Sequence, residues 1–185
     1  VLAQAVDGKM PADQETIRYT GFYGYDTEGT YFLSREVLGG GGGGRYYADG
    51  SDAIHVVPDS RNQPAEFTET RYPLRVEKLA LSTDSGGAGR TRGGLGVEVR
   101  YRCLQATQAN INLDRPVDAP WGLHGGKAGA VNKAIIRRTD GSEETVLKQT
   151  NLQLYAGDSV TFLTAAGGGY GPPEERPREA IQRDI

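Results

Sequence analysis

Six consecutive glycines at positions 39–44 constrain this chain more than any other stretch. Such a run has no side chain to bury, and ordering it costs more backbone entropy than ordering any other residue type. An ordered polyglycine run therefore implies that something requires close approach of bare backbone. Arg45-Tyr46-Tyr47-Ala48-Asp49-Gly50 stands at its exit. The theme recurs at residues 84–96, at Trp121-Gly122-Leu123-His124-Gly125-Gly126-Lys127 and at Gly167-Gly168-Gly169-Tyr170-Gly171. Four glycine clusters, each flanked by a charge or an aromatic ring, predict backbone-lined surfaces rather than flexible filler.

Glycine makes up 27 of the 185 residues, about twice the average share. The glycines have no three-residue period, which excludes collagen. Ten tyrosines, one tryptophan and several Val/Ile/Leu-rich runs between the clusters argue against a disordered linker. The length fits one domain. A hydrophobic content of only 37% predicts a thin core or dependence on a partner. The net charge is −3, from 21 basic and 24 acidic residues that are interspersed, so no basic stripe for nucleic acid forms. One cysteine, Cys103, excludes an intrachain disulfide framework and fits a cytoplasmic, reducing compartment. No apolar run approaches about 20 residues, so no membrane helix is expected, and no signal peptide is read. The start at Val1-Leu2-Ala3-Gln4, without Met, reads as a cut through a longer polypeptide or as a processed subunit.

Alternation of apolar and polar residues predicts a mainly β fold with short helices (α+β), antiparallel, with glycine-rich loops and a C-terminal helix. Residues 1–16 read as a helical remnant or linker, 17–172 as the β-rich domain and 173–185 as a terminal helix. Residues 17–25 and 31–37 form a hairpin about the turn Thr27-Glu28-Gly29. Residues 53–57 read as a short strand. Residues 64–71 read as one or two helical turns, with Pro at the first position and acids early. Strands follow at 72–81, 96–104 and 109–113. Residues 133–138 and 143–147 pair about Asp140-Gly141, and 152–156 pairs with 159–163.

No single motif carries a complete chemistry. Residues 122–128 have the wrong spacing for a phosphate-binding P-loop, with Ala128 where a hydroxyl belongs. The hexaglycine satisfies the dinucleotide pattern only because all of it is glycine, and no helix follows to hold a pyrophosphate. His55, His124 and Cys103 are not at metal-ligand spacing from one another. His124, between glycines after Trp121, is the better candidate for a functional imidazole; a turn histidine bonded to backbone explains it equally. Cys103, within an alternating strand, reads as an inert, partly buried thiol. Ser85 lacks the flanks of a nucleophile elbow. Residues 84–96 carry the strongest signal: Arg90 and Arg92, one residue apart among glycines, can approach a carboxylate or phosphoryl group, and Asp84 can pair with one of them. An arginine-pinned structural loop fits the same residues. The candidate site residues are therefore Arg45, Asp49, Asp84, Arg90, Arg92 and His124.

Together these stretches resemble the B subunit of the hydantoinase/5-oxoprolinase family, which includes N-methylhydantoinase, caprolactamase and the ketone carboxylases. The matching stretches begin with the glycine run with Arg45 and Asp49-Gly50, His55-Val56 and Arg61-Asn62-Gln63-Pro64-Ala65-Glu66. They continue through residues 69–77, residues 84–96, Pro120-Trp121-Gly122-Leu123-His124-Gly125-Gly126, Ala156-Gly157-Asp158 and residues 167–172. The likeness covers residues ~20–185, in the family's order, and corresponds to the C-terminal third of that subunit. It implies that ATP with Mg is held by a hydantoinase A-type partner subunit, which activates a carbonyl or amide oxygen by phosphorylation. The B subunit then opens a hydantoin, lactam or 5-oxoproline ring, or carboxylates an enolate in the acetone and acetophenone type of enzyme. A divalent metal (Zn, Fe or Mn) is implied on the N-terminal part of the B subunit or on a partner chain, since the Asp/His motifs for it are not in this sequence. No cofactor is expected on this chain alone. The expected partners are the A-type subunit, the N-terminal half of a B-type subunit and a small cyclic amide or ketone, with no nucleic acid and no membrane. On this reading Arg45, Arg90 and Arg92 hold either the phosphorylated intermediate or a subunit interface. A non-catalytic structural subunit remains the alternative of a different class.

Overall fold

Nine strands account for nearly all the regular structure in this computed structural model, which describes residues 5–6, 8–14, 18–55 and 61–184. The helix read over 1–8 and the strand read over 53–57 lie largely or partly outside the described residues; within the latter, Ile54 makes one isolated bridge to Gly40. In chain order the strands are β1 (Arg18–Tyr25), β2 (Tyr31–Val37), β3 (Leu74–Leu81), β4 (Val97–Cys103), β5 (Thr107–Leu113), β6 (Lys133–Arg137), β7 (Glu143–Val146), β8 (Lys148–Leu154) and β9 (Ser159–Leu163). A short helix α1 (Ala65–Arg71) precedes β3, with Glu66 in its first turn and Arg71 in its last, each complementing the helix dipole.

The strands form two antiparallel sheets, ordered β2-β1-β5-β8 and β3-β4-β9-β6-β7. Period-two patterning decides which faces meet. In β4, Val97, Val99, Tyr101 and Cys103 are buried between half-exposed Glu98, Arg100 and Arg102. In β5, Ala109, Ile111 and Leu113 point inward and Asn110 and Asn112 outward. The two inner faces meet at Phe22 of β1, whose ring packs edge-on against Tyr101 (5.3 Å) and Phe162 (6.4 Å) of the facing sheet. Edge-to-face rings of this kind add roughly 0.5–1.5 kcal/mol per pair beyond their burial.

Two sequence expectations are corrected. Residues 152–156 and 159–163 do not pair: β8 lies beside β5 in the first sheet, and β9 lies between β4 and β6 in the second. The burial of Ser159, Val160, Thr161 and Phe162 explains this, because a strand buried on both faces takes a central position. The intervening corner is set by Gly157 in the left-handed region (φ 91°) and by Asp158, 1% exposed. The Asp158 carboxylate accepts from Tyr155 N (3.0 Å), Thr139 N (3.2 Å) and Arg138 Nη1 (3.0 Å). The terminal segment is also not one helix. A 3₁₀ turn at Pro173–Glu175 is followed by α2 (Arg178–Asp184), the break falling at Pro177, which cannot donate a helical bond.

The glycine clusters are where the fold departs most from expectation. They do not line surfaces; they bury one another. All six glycines of positions 39–44 are buried, and so are residues 164–171. Their backbone groups form no sheet. Gly41 N donates to Ala165 O (3.0 Å), Gly42 N to Ser51 O (2.9 Å) and Gly44 N to Gly168 O (2.8 Å), while Gly42 O accepts from Gly94 N (2.8 Å). Gly167, Gly168 and Gly169 donate in turn to Gly94, Asp13 and Lys127. Successive donors pointing at three different neighbours is the pattern of extended, three-residue-per-turn backbone packed side by side. A β-strand would alternate between two.

Glycine is required here for space and not for backbone angle, since none of the glycines at 39–44, 93, 94 and 167–169 has φ in the left-handed range. A Cβ on Gly41 would lie 1.9 Å from Gly94 O, and one on Gly93 1.8 Å from Gly167 O. The bundle therefore forms a second core made of backbone, which explains how a chain with little hydrophobic content stays packed. It caps the sandwich end where β2 and β9 finish and β4 and β6 begin.

Candidate functional site

The chain leaves the bundle at one rim, where five of the six sequence candidates collect. Thr91 bridges to Tyr170 and Tyr170 to Leu123, so the segments carrying Arg90, Tyr170 and His124 lie side by side. The hexaglycine exit joins them through Thr91 Oγ1, which donates to Arg45 O at 2.5 Å. Arg45 itself is exposed, held by its backbone N–H on Ala48 O. Beside it Tyr46 and Tyr47 are 52% and 66% exposed, their rings edge-to-face at 4.8 Å. Arg90 donates to Tyr46 O (3.1 Å) and approaches Glu175 at 3.9 Å. His124 is exposed, in the left-handed region (φ 49°), with its ring 4.9 Å from that of Tyr170.

Asp49 and Arg92 lie just beneath this rim and are saturated. The Asp49 carboxylate accepts two bonds from Arg176 (2.8 and 3.0 Å) and one from the Arg92 N–H (2.8 Å). Partial burial pushes its carboxyl upward, but the Arg176 bonds, the Arg92 N–H and the charges of both guanidinium groups outweigh this and hold it below its ordinary value. The Arg92 guanidinium bonds Asp52 (2.9 Å), Asp184 (3.2 Å) and Gly93 O (2.9 Å), and its pKa is raised, chiefly by the Asp52 hydrogen bond. Asp52 also accepts from Leu95 N at 2.7 Å. Arg176 spans Asp49, Asp184 and Arg90 O. These groups pin residues 49–52 and 90–95 to α2, the arrangement of a structural clamp.

Asp84 is separate from the rim. It is exposed, in the left-handed region (φ 56°), and lines a cavity of about 510 Å³ between residues 81–95 and the tail, shared with Arg92, Arg176 and Arg183. No hydrogen bond joins Asp84 to Arg90 or Arg92. Ser85 Oγ is committed to backbone, donating to Ser82 O (2.7 Å) and accepting from Gly96 N (3.0 Å). Cys103 is fully buried, and burial first, then the Asp158 charge, push its thiol up to about 12. Among the described residues no three His, Cys, Asp or Glu side chains form a group that could hold a metal ion, and no helix is long and apolar enough to cross a membrane.

The sequence reading missed Asp52, Arg176 and Asp184, the other half of the clamp, and the Tyr46–Tyr47 pair. Arg176 is 127 residues from Asp49, and no local pattern links them. The tyrosines were on view beside Arg45, and their position at the mouth of a polyglycine run was the available signal.

This chemistry is a rim of fixed backbone bearing basic and aromatic side chains, over a saturated ion-pair clamp, without a nucleophile–base pair among the described residues. The sequence matches the hydantoinase B/oxoprolinase family over residues 1–173. The chain belongs to that family. It is 32% identical over 186 residues to the putative D-/L-hydantoinase B subunit of Pseudomonas sp. (strain NS671), covering 99% of this chain and 31% of that one. The fold matches the crystal structure of the ATP-dependent caprolactamase from Pseudomonas jessenii with a TM-score of 0.82 and 25% identity, over all of this chain and 34% of that one. It also matches nucleotide-free acetone carboxylase, TM-score 0.77, over 95% of this chain and 28% of that one; at 18% identity that likeness concerns the fold alone. The chain thus spans about a third of the length of these hydantoinase B-family relatives.

Proposed function

We propose that this chain is the C-terminal portion of a B-type subunit in a multi-subunit, ATP-dependent cyclic amide hydrolase of the cytoplasm, acting on hydantoin, lactam or 5-oxoproline-type rings. The observation that carries the reading is end-to-end similarity to a hydantoinase of the B type, together with the fold match to a caprolactamase at 25% identity. The ketone carboxylase alternative has weaker support, since its structural likeness lies at 18% identity. In the proposed assembly ATP with Mg sits on an A-type partner, and the divalent metal sits on the N-terminal part of the B subunit or on a partner chain. A thiol buried in Cys103 fits a reducing compartment.

This chain's own contribution is then positional. Arg45, Arg90 and His124, on rigid backbone at the bundle rim, face the part of the assembly that carries the chemistry, with Tyr46 and Tyr47 excluding water beside them. Asp49 and Arg92 keep that rim in place without touching the substrate. The test uses the assembled enzyme. Arg45→Ala and His124→Ala are expected to lower ATP-coupled ring opening at least tenfold, with the stoichiometry of the assembly by native mass spectrometry unchanged. Full turnover in both variants overturns the site. ATP turnover that requires bicarbonate overturns the hydrolase reading in favour of the carboxylase.

A further inference from the structure

The two sheets turn very different faces outward. The outer face of β3-β4-β9-β6-β7 is laced with ion pairs: Lys78 and Arg100 with Glu98, Arg102 with Glu77, Arg137 with Glu143. Such pairs contribute little energy but mark a solvated surface. The outer face of β2-β1-β5-β8 has no carboxylate. The one acid in those four strands, Glu36, points inward and accepts from Tyr101 of the facing sheet (2.5 Å).

What that face carries instead is aromatic and amide. Strand register places Tyr25 opposite Tyr31 and Tyr23 opposite Leu33. Tyr25, Tyr31 and Leu33 are 66%, 54% and 52% exposed, and the Tyr25 and Tyr31 rings meet edge-to-face at 5.5 Å. Arg35 stacks over the Tyr19 ring at 4.6 Å, which holds its guanidinium at the face instead of leaving it free in solvent. Next to the tyrosines, Gln108, Asn110 and Asn112 of β5 alternate outward. A groove of about 410 Å³ runs between Tyr23, Tyr25, Tyr31, Gln108 and Gln153. Tyrosine and arginine enrichment with loss of Asp, Glu and Lys is the composition of the buried centre of a protein interface, and it is not that of a solvated sheet.

We infer that this face is a docking surface for the polypeptide of the same B-type subunit that lies outside these 185 residues. That polypeptide would present an apolar patch to the Tyr25–Tyr31–Leu33 cluster and a carboxylate to Arg35. The relatives supply the occupant: the Pseudomonas hydantoinase chain that matches 99% of this one has more than twice as much chain again. A β-sandwich joined to so much further polypeptide buries its least charged face first, because desolvating the ion-paired face costs more. The inference rests on the proposed function only in taking this chain as part of a larger subunit.

Hydroxyl-radical footprinting of the full-length subunit in its assembly tests it, with each peptide's rate compared with the same peptide in urea. Tyr25, Tyr31 and Leu33 are expected to be protected at least tenfold. In the second arm, Leu33→Asp, an exposed position where folding is unaffected, is expected to raise labelling of Tyr25 and Tyr31 at least fivefold; Arg100→Ser on the opposite sheet leaves it unchanged. Unprotected tyrosines in an intact, ATP-hydrolysing assembly overturn the docking surface and leave the proposed function standing. Protection that disappears on dilution in step with a homodimer seen by native mass spectrometry overturns it in favour of a second copy. A subunit that is protected as expected but shows no ATP-coupled activity sinks the proposed function and retains the surface.

Discussion

Two adjacent glycines of the hexaglycine should respond in very different ways to the same methyl group. On Gly43 a Cβ would sit 1.8 Å from Ala12 O, and on Gly42 it would meet the Cδ1 end of the Ile54 side chain at 3.0 Å. Gly167→Ala is the sharpest member of the set, with its Cβ 1.8 Å from Gly42 O and 2.3 Å from Gly42 C. To accept it, two buried backbones must part by roughly 1.2 Å or more in an interior packed at crystal density. That separation breaks Gly94 N to Gly42 O (2.8 Å), and it strains Gly167 N to Gly94 O (3.0 Å) and Gly87 N to Gly167 O (2.8 Å). At about 1–1.5 kcal/mol for each buried bond, plus about 1–3 for overpacking, the gross loss is about 4–7 kcal/mol. Alanine returns about 0.4–1 kcal/mol by restricting the unfolded chain. The expected net loss for Gly167→Ala or Gly43→Ala is therefore about 4–6 kcal/mol, a large share of the ~5–15 that a domain has.

Gly42→Ala should lose about 1 kcal/mol, because only the end of a side chain must move. Gly21→Ala, buried in β1 with Ser34 O at an ordinary 3.5 Å, should be neutral or gain about 0.5 kcal/mol. Urea melts followed by circular dichroism read the series; at about 2 kcal/mol/M, Gly43→Ala shifts the midpoint by about 2–3 M relative to Gly42→Ala. A Gly43→Ala variant as stable as Gly42→Ala, or a Gly21→Ala variant as damaged as either, would refute the close-packed backbone account.

Two further outcomes follow from the clamp and the thiol. Arg176→Ala should cost about 3 kcal/mol near neutral pH by stranding Asp49 and Asp184. Because the folded-state Asp49 carboxyl is held below its ordinary 3.8, its contribution is full above that value and disappears as pH falls through the lowered one. The stability gap between wild type and Arg176→Ala in urea melts should thus close below about pH 3, and a gap constant down to pH 2 contradicts the clamp. Cys103, with its thiol up to about 12, should resist a maleimide or disulfide reagent at about pH 8 for hours and label fully in urea; rapid native labelling would show that the β4 face is open.

The strands were legible because each alternates strictly, as in Val97-Glu98-Val99-Arg100-Tyr101, and the turns because Gly29 and Gly141 adopt φ of 80° and 87° as their positions demand. Pairing was less legible. Leu152 and Leu154 look the same in sequence whether β8 sits beside β9 or across the sandwich from it, and only the two-sided burial of β9 decides. The mutual packing of the glycine clusters was hidden because it is a property of five segments at once. Each cluster alone reads as an exposed loop, since its partners are bare backbone and leave no trace in side-chain pattern. The rim candidates Arg45, Arg90 and His124 were found by their glycine neighbours. The clamp half formed by Arg176 was not, because the Asp49 pair closes a span of 127 residues.

The backbone bundle has a kinetic consequence. It joins residues 12–13, 39–54, 86–96, 120–130 and 164–170, so its bonds close loops of up to about 155 residues, and few of them form until both sheets are in register. The bundle should be the last part of the chain to consolidate during folding and the first to open on heating. Arg45, Arg90 and His124 would then come together only in the fully native state, and a partly melted chain would keep its sandwich while losing its rim.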